Sequence, residues 1–303
     1  MGIFLTVLID MLAFGLLIPD IQLRSESLGA RDAMRGLLLA SFSIAQLITA
    51  PFLGRLSDGI GRRRVLLVTT ALSTCGFLFY SHAYQLWELF AAQILLGIAG
   101  ANIGVAFAYI ADVTEPEHRA KSLGTIGAAF GLGFIFGPPI GAWLVSAGGG
   151  HPTLLGYVAA SAAFLNFLYV FFLLPESTAE PHGTVHAHSH FQAVWRALNT
   201  PGLRFLLALF FVANFAFSNL QSTFFLLSVR EYRLTQEQGA FLLTWVGIVA
   251  AVMQGGVLRY VAPRLGEVRM LRLGYLLQAP SLAAIPFVTP WIPVLFVLLT
   301  LGI

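Results

Sequence analysis

Residues 51–67, PFLGRLSDGIGRRRVLL, set one aspartate and four arginines between two stretches that carry almost no charge. Gly54 and Gly61 allow the backbone to turn tightly between two helix ends. Asp58 and Arg62, four apart, can pair with each other or engage a neighbouring helix terminus. A short basic hinge of this kind suits the place where two membrane helices meet at an aqueous surface.

The composition around the hinge points the same way. Of 303 residues, 57% are hydrophobic and 10% charged, with a mean hydropathy of +0.81, whereas soluble domains carry about 25% charged residues. Such a chain cannot cover itself for water. The net charge is +3, yet the basic residues are dispersed at the edges of apolar runs and form no patch of the kind a nucleic acid needs. Cys75, the single cysteine, lies inside an apolar run and allows no internal disulfide. No cleavable leader is expected, because the first apolar segment begins without a charged region ahead of it.

Charge-free intervals occupy 36–54, 65–87, 89–111, 122–175, 205–229, 238–258 and 273–303. Roughly 20 helical residues cross the hydrocarbon once. The interval 122–175 would extend roughly 80 Å as one helix, so it must double back, most simply at SAGGGHP, residues 146–152. The last interval divides near PFVTPWIP, residues 286–293. Adding Gly2 to Asp20 gives an expectation of nine spans and the start of a tenth.

With alternating loops, twelve of the seventeen lysines and arginines fall on one side, and Arg24, Arg31, Arg35, Arg230 and Arg233 on the other. The positive-inside rule then puts the N-terminus, the 51–67 hinge and the longest linker in the cytoplasm. The expected organisation is an N-terminal six-helix bundle over 1–175, a histidine-containing linker over 176–200, and an incomplete C-terminal bundle over 201–303. RYVAPRLGEVR, residues 259–269, is a degraded echo of GRLSDGIGRRR, with Gly266 answering Gly61 and Pro263 standing where Asp58 would recur. That repeat makes the sequence read as truncated within the tenth of twelve helices, from a protein of about 380–400 residues. Repeat-built membrane proteins of this kind are usually transporters.

GRLSDGIGRRR resembles the loop signature of the major facilitator superfamily: a glycine, an aspartate four later, a glycine three after that, then basic residues. The resemblance implies an all-α membrane fold of two six-helix bundles and a loop that latches a cytoplasmic gate. The gate residues are expected to be Gly54, Asp58, Gly61, Arg62, Asp112 and Arg119. The last two come from YIADVTEPEHRAKS, residues 109–122, which resembles the family's link between the fourth and fifth spans. Ordinary interfacial charge placement is the plainer reading of this pair.

GTIGAAFGLGFIFGPPIGA, residues 124–142, is similar to the family's antiporter pattern in the fifth span: Gly124, Gly133, Gly137, Pro138 and Gly141, with Ala142 in place of a final glycine. Gly133, Gly137 and Gly141 form a stripe without side chains that lets another helix approach closely, and Pro138 is expected to bend the helix. Packing alone is the simpler role for such a stripe.

Thirteen of the fourteen acids sit in loops or at expected span ends; only Asp10, in FLTVLIDMLAFGLLIPD, lies near a span's middle. A charge there costs roughly 2.5–3.5 kcal/mol on insertion scales. A carboxyl that exchanges a proton as access alternates is what proton coupling requires; the alternative is a structural carboxyl bonded to a neighbour. The resemblance supports coupling, since tetracycline/proton antiporter-like drug exporters carry an aspartate in the first span about nine residues before a proline, matched by Asp10 and Pro19. Those relatives also carry an arginine four residues before a glycine in the fourth span. Here Gln93 precedes Gly97, so the usual acid–arginine pair is incomplete.

Substrate contacts are expected from polar residues within spans: Gln46, Gln93 and Asn102, and in the seventh span a stripe of Asn214, Ser218, Gln221 and Ser222, with Gln254 further on. With no buried lysine or arginine in a span, a neutral, cationic or zwitterionic amphipathic substrate suits better than an anion. His182, His186, His188 and His190 are a tract that can bind zinc or nickel, but a solvated linker is the simpler reading, and no metal or cofactor is assigned. HExxH, GxSxG and paired carboxylates on one helix are absent from the sequence, so an enzyme is not expected. The expected function is proton-coupled efflux of small amphipathic compounds by a monomeric, multi-pass protein of the cell (inner) membrane, without nucleic acid. The alternatives are a metabolite importer or uniporter, and a non-transporting membrane sensor.

Overall fold

The protein is described by a computed structural model over residues 2–115, 118–149, 151, 153–177, 195, 198–230 and 264–284, with isolated positions between 235 and 261. The helices are α1 (Gly2–Ser27), α2 (Asp32–Ile60), α3 (Arg62–Ser81), α4 (Leu86–Gly100), α5 (Ile103–Val113), α6 (Arg119–Ala147), α7 (Thr153–Leu173), α8 (Pro201–Arg230) and α9 (Glu267–Ala284). No strand occurs among the described residues. Among the described residues, six segments are long and apolar enough to cross a membrane: α1, α2, α3, α4 together with α5, most of α6, and α7. α6 ends at Ala147 and is followed by Gly148 and Gly149, where the sequence places its turn. The expected division near 286–293 lies outside the described residues.

Two features of the opening hinge and its neighbours differ from expectation. Gly61 alone makes the turn between α2 and α3, at φ +104°, a region that favours glycine. Gly54 is not part of the turn; it lies within α2, where the helical ladder continues to Ile60. Likewise α1 does not stop at Asp20 but runs on to Ser27. It ends at Gly29, φ +84°, with Ala30 N bonded to Ser25 O and Gly29 N to Glu26 O, both 2.9 Å, the pattern of a Schellman cap. Charge at positions 20 and 24 marks no helix end because both side chains are buried against α3.

The six segments enclose two apolar cores. One joins Leu16, Leu17 and Ile21 of α1 to Phe77, Leu89, Leu96, Leu144 and Ala159; the other joins Ile3 and Val7 to Leu66, Val105, Ile126 and Val170. α1 contributes to both, as α3, α6 and α7 do, and along α1 Asp10 falls between the residues of the two cores. Outward positions such as Leu47, Ile48, Phe52, Phe172 and Leu173 are exposed, a surface suited to hydrocarbon, with backbone groups satisfied inside each helix.

Candidate functional site

The polar centre of this bundle is built on Asp10, which is half-buried. Its Oδ2 accepts a hydrogen bond from Asn102 Nδ2 and its Oδ1 one from Asn166 Nδ2, each at 2.8 Å. Asn166 also donates to Thr6 O at 3.0 Å. Asn102 reaches the acid because the fourth span is interrupted: Ala101 and Asn102 lie between α4 and α5, and their N–H groups reach back three residues, to Ile98 O and Ala99 O, at 3.4 and 3.2 Å. Gln46 Nε2 on α2 donates to Gly100 O at 2.8 Å, satisfying a carbonyl that the end of α4 leaves open. Hydrogen bonds to an ionised group are each worth about 1.5–3 kcal/mol, so two of them offset the roughly 2.5–3.5 kcal/mol cost of a charge at mid-span.

Gln46 and Asn102 thus bond neighbouring helices. Gln93 is buried on α4 and is not among the partners of Asp10, which among the described residues has no basic partner. Asn166 carries one signal in the sequence, that of an amide inside an apolar run, as Asn102 does. Ser218 is exposed on α8. The side chains of Asn214, Gln221 and Ser222, Gln254, and the four linker histidines fall outside what is described.

A second cluster gathers at the α2–α3 turn. Arg62 Nη1 lies 2.5 Å from Asp58 Oδ1 and donates to Ser57 Oγ at 2.5 Å, while its Nε meets Asp112 Oδ2 at 3.0 Å. Arg119 does not join them. It is exposed at the start of α6, where its Nε donates to the carbonyl of Thr114, the cap of α5, at 3.2 Å. Two further contacts come from beyond α7. Glu176 Oε1 accepts from Arg63 N at 3.0 Å, and Tyr109 Oη donates to Pro175 O at 2.9 Å. A Cβ on Gly61 would stand 2.8 Å from the Glu176 carboxyl, the end of a flexible side chain that can move aside, so it is the φ of Gly61 that favours glycine there. Arg63 also donates to Val170 O and Phe171 O, carbonyls left open at the end of α7.

The glycine stripe on α6 faces α1. A Cβ on Gly133 would lie 2.6 Å from Met11 Cβ, and one on Gly137 would lie 2.6 Å from Gly15 Cα; Gly141 meets the backbone of Leu16. Pro138 is buried within α6 and followed by Pro139. Gly124 is outside this seam: it is exposed, and a Cβ there would meet open space.

The sequence also concealed a second buried acid. Asp20, taken as a span-end residue, is 5% exposed, and its Oδ2 accepts from Tyr80 Oη at 2.5 Å. Arg24, also buried, donates to Tyr80 O at 2.8 Å and Ala83 O at 2.5 Å, with its guanidinium 4.8 Å from the Tyr80 ring centroid. It thereby caps the end of α3 and stacks on the same tyrosine.

Residues 3–303 match the family model of the Major Facilitator Superfamily. The chain belongs to this superfamily. Membership makes it an integral, multi-pass membrane transporter and not an enzyme. Among superfamily relatives, the class B tetracycline resistance protein of Escherichia coli is 31% identical over 98% of this chain and 75% of its own length. Multidrug resistance protein 2 of Bacillus subtilis is 29% identical over 88% of this chain and 67% of its own length. The crystal structure of the human organic anion transporter MFSD10 is similar in fold, with a TM-score of 0.77 at 24% identity, covering 99% of this chain and 81% of that one. A bacterial homologue of the lysosomal transporter Spinster, inward-facing and unoccupied, also gives 0.77, at 16% identity, covering 99% of this chain and 71% of that one.

Proposed function

We propose that the protein is a proton-coupled exporter of small amphipathic organic compounds, working by alternating access between two helical bundles, with Asp10 as the coupling carboxyl. The observation that carries this reading is the setting of Asp10: midway along α1, between two apolar cores, held by two neutral amides. A carboxyl so placed can gain or lose a proton without leaving a buried cation behind. Relatives named for tetracycline and multidrug resistance support export of such compounds. The α1–α6 seam supports the antiporter reading, since it places the helix bearing Asp10 against a glycine stripe.

In this reading the Arg62 cluster is part of a cytoplasmic gate, formed by Asp58, Gly61, Arg62 and Asp112. The N-terminus lies in the cytoplasm, and the protein acts as a monomer in the cell (inner) membrane. The bundles are 1–175 and 201 onward, joined by the 176–200 linker. Gln46, Gln93, Asn102 and, in the seventh span, Asn214, Ser218 and Gln221 are the polar groups this reading assigns to a substrate.

The test is proton movement driven by tetracycline in proteoliposomes of the purified protein. Wild type moves protons when tetracycline is added, and Asp10→Asn moves none. Proton movement at the wild-type rate in Asp10→Asn overturns the reading.

A further inference from the structure

The two amides that hold Asp10 are not equivalent. Asn166 uses both amide hydrogens on α1, one on Thr6 O and one on Asp10 Oδ1, so it stays anchored to α1 whatever the acid does. Asn102 has a single side-chain hydrogen bond among the described residues, the one to Asp10 Oδ2. It also stands where the fourth span is interrupted, and its backbone carbonyl accepts from Ala106 N at 2.9 Å to begin α5.

Among the described residues nothing else ionisable faces the acid. The α4–α5 junction and α7 present the two neutral amides, α6 presents Gly133 against Met11, and α2 presents Gln46 to Gly100. No charged side chain of these helices reaches Asp10 among the described residues.

An ionised carboxylate accepts at both oxygens, whereas a protonated one carries an O–H donor at one of them. The protonated oxygen keeps a lone pair but loses its charge, so the amide N–H bond to it weakens, and the less firmly anchored of the two contacts opens first. Asn166 is fixed by its second bond, so the contact that yields is the one from Asn102. We propose that Asn102 is a positioning residue that passes the protonation state of Asp10 to the break in the fourth span. With Asp10 ionised, the bond ties α1 to the junction of α4 and α5. With a proton added from water at Oδ2, that N–H···O bond opens and the junction is released. The proposal rests on Asp10 being the coupling carboxyl.

The test is amide hydrogen exchange over residues 99–106 of the purified protein in lipid nanodiscs, measured from about pH 5 to about pH 8 and corrected for intrinsic rates. Wild type is expected to lose about tenfold in protection across this segment toward low pH, a local opening of modest size. Asp10→Asn is expected to show the low protection at every pH. Asn102→Ala should do the same, with turnover falling about tenfold. Asn102→Ser, a shorter side chain with one hydroxyl donor, is expected to fall between.

Wild-type pH dependence surviving in Asn102→Ala overturns the proposal. So does its survival in Asp10→Asn, a result that decides even where Asn102→Ala does not fold. Tetracycline-driven proton movement persisting in Asp10→Asn instead overturns the coupling role of Asp10, and the two failures are read on separate instruments.

Discussion

Asp10 and Asp20 both lie on α1, and their surroundings divide them. Asp10 is held by two uncharged amides from α7 and the α4–α5 junction. Asp20 is held by a tyrosine hydroxyl, with Arg24 one turn along pinned to the end of α3. Neutralising Asp10 leaves no cation stranded. Neutralising Asp20 leaves a buried guanidinium without its nearby opposite charge, which low dielectric makes costly. The same residue type on the same helix is thus suited to changing charge in one place and to keeping it in the other.

The largest effect should come from placing bulk where α1 and α6 touch. Gly137→Val drives a branched side chain into the backbone at Gly15; overpacking of about 3 kcal/mol or more should appear as lost monodisperse yield and a lower Tm in detergent. Both acids depend on α1 being seated, so this variant removes the contrast altogether. Next, Asp20→Ala should destabilise by about 3 kcal/mol or more, since it leaves the Tyr80 hydroxyl unpaired and the buried Arg24 without its nearby opposite charge, read from thermal unfolding. Asp10→Ala should cost about 1–3 kcal/mol, the scale for leaving its amide partners unpaired. A larger loss at Asp10 than at Asp20 breaks the comparison.

Asp20→Asn sharpens it. This variant is expected to keep tetracycline-driven proton movement within about threefold of wild type, since less than 1 kcal/mol of the barrier would change. The smallest effects belong to the α2–α3 turn. Asp58 is 64% exposed in its pair with Arg62, so Asp58→Asn should change stability by less than about 1 kcal/mol. Arg119→Ala should leave transport within about twofold, as its bond is to an exposed carbonyl at Thr114.

Much of this was legible before any coordinates. Charge-free runs located the spans because a lipid environment tolerates few charges, and the glycine spacing of α6 showed that some helix packs there. Which helix packs there was not legible. Segments that are apolar nearly all round carry little facial contrast, so nothing in 124–142 names α1 as the partner. The same lack of contrast hid Asn166, whose value comes from facing Asp10 across 156 positions of chain. Asp20 was misplaced because a charge near a proline reads as a helix end, whereas here the end of α3 supplies carbonyls that accept from Arg24. Gly54 and Arg119 fit a motif's spacing, but spacing alone does not say which glycine turns or which arginine pairs.

The strand that leaves α7 is moored before it sets out. Pro175 is held by Tyr109 and Glu176 by the amide of Arg63, so the tether toward α8 begins its course at Ser177, not at Leu173. Four residues of slack are withdrawn, roughly 13 Å of contour. Cutting those moorings would lengthen the leash without adding a residue.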